Sequence, residues 1–207
     1  MSQHAIPESS LLSLGQVRSL LEWVRNETDE QSAEYPLFVS MATAALLPGE
    51  AIRLRFDDVT LSDDGFGELL IRGAERRRVP VAPELVRVLR AWIGTAALKT
   101  GDPLFPGERG GPLASSVYRR VWKQAREEVL RPDEVAAGLG EHVASLRDSC
   151  LESWLKAGVP AWGVAEWSGV TASWLAVRYP HCFRLEDVEL DWAHLTEVMA
   201  LPDELKS

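Results

Sequence analysis

Tyr179 stands at the end of TASWLAVRYPH (171–181), where a short apolar segment runs into Arg178, Tyr179, Pro180 and His181. A phenol beside a guanidinium at a helix end has two readings: a nucleophile, or a core aromatic that closes the helix. Other reactive side chains are sparse. His181 and His4 have no sequence neighbour that suggests a metal or a triad. Cys150 and Cys182 lack metal-type spacing and are too few for a disulfide framework. No metal and no cofactor is expected. The other concentration of functional groups is basic: Arg72, Arg76, Arg77 and Arg78 fall on one predicted hairpin.

That hairpin lies in the only positive part of an acidic chain. The net charge is −9 over 207 residues. Residues 1–50 carry two basic and seven acidic side chains, residues 51–130 carry 14 and 11, and residues 131–207 carry six and 13. The whole chain is therefore repelled by nucleic acid at long range, while its middle third can still hold a polyanion. An apolar content of 46% with eight tryptophans predicts a substantial core. No apolar run approaches the roughly 20 residues needed to span a membrane. The N-terminus lacks the basic and apolar regions of a signal peptide, so a reducing cytoplasm is the expected setting.

The elements that must position these groups are mostly helical. Ser13 and Gln16 have capping-box spacing, and Leu14, Val17, Leu20, Leu21 and Val24 recur at helical intervals, predicting a helix over 14–26. A second, apolar helix is predicted from Leu37 to Leu47, broken by Pro48-Gly49. Residues 59–81 change character: VTLSDDG, GELLIRG and RRRVPV read as three short antiparallel strands separated by Asp/Gly turns. Pro83 opens a helix bearing Leu85, Val86, Leu89 and Trp92. After the Pro/Gly loop 102–113, helices are predicted at 115–129, 144–157, 160–167 and 171–178, with Trp154, Trp162, Trp167 and Trp174 in the core. LEDVELDWAHLTEVMAL reads as an acidic amphipathic helix.

Four segments in this order resemble the catalytic domain of the tyrosine recombinases, the phage-integrase family. ATAALLPGEAIRLRFDDV is similar to the first arginine box. GELLIRGAERRRVPVAPELVRVLRAWI resembles the hairpin and the helix after it, and DPLFPGERGGPLASSVYRRVWKQA the Leu-Phe loop and its helix. ASLRDSCLESWLKAGVPAWGVAEWSGVTASWLAVRYPH resembles the second arginine box through to the nucleophile. The resemblance covers roughly residues 12–183. It implies a mostly α domain with a small antiparallel sheet (α+β), preceded by a flexible stretch 1–12 and followed by an acidic arm 184–207.

The resemblance also implies a chemistry and a set of positions. In that family a tyrosine oxygen attacks a DNA phosphodiester, two arginines clamp the non-bridging oxygens, and a hairpin lysine protonates the leaving 5′ oxygen. No metal takes part. Tyr179 falls on the nucleophile and Arg147, in SLRD, on the second arginine. Leu47 falls on the first arginine, Ala144 on the histidine three residues before Arg147, and Val170 on the second histidine or tryptophan. His142 lies five residues before Arg147 and does not replace it. No lysine lies between Glu68 and Val79, where Arg72, Arg76, Arg77 and Arg78 are the only bases. Arg78 resembles a family position before Val-Pro.

Losing one oxyanion donor costs about 10²–10³ in rate, and arginine is a poor general acid. Leu47, Ala144 and Val170 therefore predict a degenerate recombinase-like protein that acts by binding. Its expected partners are duplex DNA through Arg72, Arg76, Arg77 and Arg78, another recombinase, or a second copy through the C-terminal helix, since family members exchange that segment. An active recombinase using Tyr179, and a protein-interaction module that has abandoned DNA, are the alternatives. For Arg147, the competing expectation is a structural ion pair with Asp148 or Glu50. The family's N-terminal clamp domain has no counterpart in the dozen residues before the first helix, which predicts weakened duplex affinity.

Overall fold

The computed structural model describes residues 4–73 and 76–183. Helix α1 (Leu14–Glu27) begins at a reciprocal cap: Gln16 N–H donates to Ser13 Oγ, and Ser13 N–H to Gln16 Oε1 at 2.8 Å. Two orphan amides are thereby satisfied, as the spacing predicted. Helix α2 (Glu34–Ala44) is apolar nearly all round and buried, packing on α1 and on two helices later in the chain, Pro83–Thr95 and Ser145–Lys156. It stops three residues earlier than expected, because Ala45 turns into the left-handed region at φ 47°. Pro48-Gly49 does more than break it. Pro48 opens a one-turn helix, α3 (Pro48–Ala51), a position where its missing N–H costs nothing.

The three predicted strands form one antiparallel sheet in the order β1 (Val59–Leu61), β2 (Gly67–Ile71), β3 (Arg77–Val81). Leu69, Ile71, Val79 and Val81 are buried on its inner face. Helix α4 (Pro83–Thr95) presents Leu85, Val86, Leu89 and Trp92 to the core. In the loop 102–113, Leu104 and Phe105 are fully buried, and the Trp92 indole N–H donates to the Leu104 carbonyl at 2.7 Å. The loop is thus a core element and not a loose connection.

Helix α5 (Ser115–Val129) packs on α1. A short helix not foreseen from the sequence, α6 (Pro132–Ala136), is held back onto α5 by Arg126, which donates to the Val135 and Leu139 carbonyls. Helices α7 (Ser145–Lys156), α8 (Ala161–Ser168) and α9 (Ala172–Arg178) follow. Most of the apolar interior is one cluster centred on α2. A second, smaller cluster joins Leu11, Ala45, Cys150, Leu151, Val164, Leu175 and Tyr179.

Two expectations change. Trp162 is 70% exposed at the start of α8 and is no core residue, although Trp154, Trp167 and Trp174 are partly buried. Residues 4–12 are not a loose lead-in. Leu11 and Leu12 are buried, Ile6 N–H donates to the Arg178 carbonyl, and Arg178 returns a bond to the His4 carbonyl. The strip is fixed because its apolar residues complete both core clusters. The expected C-terminal helix and arm, 184–207, lie outside the described residues. Among the described residues no helix is long and apolar enough to cross a membrane.

Candidate functional site: a masked tyrosine and a shared carboxylate

Arg147 lies on the first turn of α7 with 3% of its surface exposed. Its guanidinium donates to the Ala45 and Ser168 carbonyls and lies 3.6 Å from Glu50 Oε2. It therefore ties the end of α2, the start of α3 and the end of α8 to one point. Burial lowers its affinity for its proton, and the Glu50 charge opposes that. Of the two carboxylates considered from the sequence, Glu50 is the one paired with Arg147.

Glu50 serves a second guanidinium. Arg77 Nη1 sits 2.8 Å from Glu50 Oε1, and Arg77 Nε donates to the Trp167 carbonyl at 2.8 Å. Glu50 Oε2, the oxygen that faces Arg147, also accepts from the Leu47 amide at 2.8 Å, capping α3. Burial alone would raise the Glu50 carboxyl. The Arg77 hydrogen bond, the Leu47 amide and the two arginine charges together hold it below its ordinary value. Gly169 leaves room for Arg77: a Cβ there would crowd Nη1 at 3.0 Å, and its φ of 71° lies in the left-handed region that favours glycine.

Tyr179 is fully buried at the C-terminal end of α9. Its hydroxyl donates to Asp148 Oδ1 at 2.8 Å, and its ring meets Trp174 and His181 edge-on. Burial, then the Asp148 charge and hydrogen bond, push the phenol up; Arg178 and Arg147 oppose this and lose. A nucleophile needs a phenolate or a base ready to make one. Here the Asp148 carboxylate accepts the phenol's hydrogen bond and the ring is closed off from solvent.

The three positions expected from the sequence to be substituted lie at helix starts or in clefts. Leu47 is the N-cap of α3 and Ala144 the N-cap of α7, both partly exposed. Ala144 lines a cleft of about 560 Å³ with Pro48, Arg119, Lys123 and His142. Val170 lines a second cleft, of about 690 Å³, with Arg76, Arg77, Arg78, Glu166 and Gly169. The four hairpin arginines separate. Arg72 is exposed and paired with Asp58 at 2.5 Å, Arg78 is exposed and paired with Glu68 at 2.6 Å, and Arg76 is exposed. Arg77 is not a solvated hairpin residue. It points inward, with one buried N–H lacking a partner among the described residues. Its inward turn was legible, because strand alternation puts Arg77 on the face of Val79 and Val81.

Sequence reasoning missed Asp148 as the tyrosine's partner and the pairing of His181 with Glu152, 2.8 Å apart. The first is 31 residues from Tyr179 and the second 29 from His181, and no local pattern links either pair.

The phage integrase family model matches residues 11–184. The tyrosine recombinase XerC of Chromobacterium violaceum is 28% identical over 126 residues, 60% of this chain and 39% of its own. XerC of Xylella fastidiosa is 28% identical over 159 residues, 75% of this chain and 48% of its own. The chain thus spans less than half the length of these curated relatives. Among solved structures, the XerH site-specific recombinase in its pre-cleavage complex with difH substrate superposes with a TM-score of 0.68 at 17% identity. That match covers 97% of this chain and 56% of XerH. The catalytic domain of bacteriophage HP1 integrase gives 0.57 at 17% identity, covering 95% of this chain and 98% of that one. These likenesses show the same mostly α fold with a three-stranded antiparallel sheet.

Proposed function

Because the chain belongs to the phage integrase family, we propose that it is a family member that binds duplex DNA without cutting it and acts as a regulator. The observation that carries this reading is the state of its two remaining catalytic-type groups. Tyr179 is fully buried on Asp148, and Arg147 is engaged by Glu50 and two carbonyls. Leu47, Ala144 and Val170 supply no charge, no general acid and no phosphate donor around them. Each missing donor removes about 10²–10³ in rate, and losses on one transition state do not simply add.

Binding is the better-equipped half of the activity. The cleft beside β3 is lined by Arg76, Arg77 and Arg78, in the one third of the chain with a net positive charge. Among the structural neighbours, XerH was solved bound to difH substrate and the Tn1549 transposon integrase in complex with circular intermediate DNA. Phosphate contacts of this kind position a protein on a duplex without reading its sequence.

Two measurements test the proposal. Anisotropy of a labelled mixed-sequence duplex should report binding that weakens steeply as salt rises from about 50 to 150 mM. A suicide substrate should trap no covalent adduct with the wild-type protein. An adduct that disappears in Tyr179→Phe would establish an active recombinase instead. A folded protein with no affinity at low salt would favour a protein-interaction module.

A further inference from the structure

Beside the tyrosine lies a cluster that neither DNA binding nor the Glu50 network uses. Glu152, on α7, and His181 and Cys182, on the turn after α9, bring a carboxylate oxygen, an imidazole nitrogen and a thiol sulfur within 4.8 Å of one another. His181 Nε2 is already 2.8 Å from Glu152 Oε1, and both side chains are nine-tenths buried. We propose that Glu152, His181 and Cys182 form a binding site for a zinc-class divalent cation.

The donor types point to the class. Magnesium and calcium take oxygen ligands, whereas a mixed sulfur, nitrogen and oxygen set suits zinc and its neighbours. At usual zinc bond lengths, tetrahedral ligands sit roughly 3.3–3.7 Å apart. Reaching that spacing requires His181 Nε2 and Glu152 Oε1, now 2.8 Å apart, to separate slightly and the three ligand atoms, now within 4.8 Å, to close around the ion. Neutralising Glu152 does not require the thiol, since Lys156 Nζ already lies 3.0 Å from its carboxylate. Lys156 also has Glu8 at 2.6 Å, so it keeps a partner when the metal takes Glu152.

The charges balance. The cation replaces the Cys182 proton, which leaves to solvent, and the neutral imidazole carries its remaining proton on Nδ1. Carboxylate, thiolate and dication then sum to zero, with water in the fourth position. A bound metal would fasten the turn after Tyr179 onto α7. The His181 ring meets Tyr179 edge-on at 6.4 Å, so the same bonds would hold the tyrosine in its closed position.

The test uses tag-free, chelator-stripped full-length protein titrated with cobalt(II) as the probe. One equivalent should produce a sulfur-to-cobalt charge-transfer band, which zinc then abolishes. Cys182→Ser should lose the band, Glu152→Gln and His181→Gln should weaken binding at least tenfold, and Cys150→Ser should retain it. No band with the wild-type protein, or a band that survives Cys182→Ser, overturns the proposal. If the Cys182 variant does not fold, alkylation of the wild-type protein decides. Zinc should slow labelling of Cys182 at least tenfold, and unchanged labelling refutes the site.

Discussion

Replacing Glu50 by glutamine removes the charge that two buried guanidinia share while nearly preserving shape. The Arg147 and Arg77 side chains are only 4% and 10% exposed, so neither can turn to water for compensation. Breaking a buried pair from one side costs about 3–5 kcal/mol, because the partner is left as an uncompensated charge. For a domain of this size that corresponds to a fall in Tm of roughly 6–20 °C. The assay is urea unfolding followed by tryptophan fluorescence, with thermal unfolding by circular dichroism as the second readout. The pH dependence isolates the charge. The Glu50 carboxyl is held below its ordinary 4.5 in the fold, so its stabilisation is present above that value and lost as pH falls through the folded one. The gap between wild type and Glu50→Gln should therefore be wide at neutral pH and shrink as wild-type Glu50 takes up its proton. A loss below about 1 kcal/mol at neutral pH would refute the shared-carboxylate account. So would a gap that ignores acidification.

Tyr179→Phe removes a hydrogen bond to a charged acceptor and should cost about 1.5–3 kcal/mol in urea unfolding, whereas a purely packing tyrosine would lose almost nothing. Arg72→Ala, Arg76→Ala and Arg78→Ala should each weaken DNA binding uniformly across sequences and lower the salt slope by about 1 per lost phosphate contact. Arg77→Ala should instead lower Tm, since its guanidinium is an interior tie. Cys150 is pushed up to about 12 by burial, so a thiol reagent should leave it unmodified until the protein unfolds, as a timed labelling series with peptide mapping would show. The triple change Leu47→Arg, Ala144→His and Val170→His should produce a detectable covalent adduct on a suicide substrate where the wild-type protein forms none.

Much of the fold was legible because local chemistry agreed with it. The Ser13/Gln16 pair marks the start of α1, Asp/Gly turns separate the strands, and Pro83 sits where a helix begins. Less legible were elements too short to carry a period, such as α3 and α6. Trp162 was misplaced because α8 is apolar on most of its surface, so its pattern does not say which face is buried. At the site, resemblance pointed to Tyr179 and Arg147, but resemblance names roles and not present partners. Asp148, Glu50 and Glu152 find their partners only when α7 is laid against α3 and the turn after α9. Arg77 is the instructive case: as one of three consecutive arginines it reads as a DNA contact, while the alternation of its strand turns it inward.

The strip at residues 4–12 gives the tyrosine's burial a particular energetic scale. Part of what covers the smaller cluster is this strip, held to α9 by the Ile6 amide and the His4 carbonyl and to α7 by the Glu8–Lys156 pair. Peeling back residues 4–10 breaks these bonds while Leu12 stays in the α2-centred core and Leu11 in the smaller cluster. Segments with so few attachments open at free energies well below that of global unfolding. Amide exchange at Ile6 should thus be faster than in α2 and insensitive to mild denaturant. Ile6 packs against the cluster that holds Tyr179, so the tyrosine's cover includes a residue more than 170 positions away in the chain.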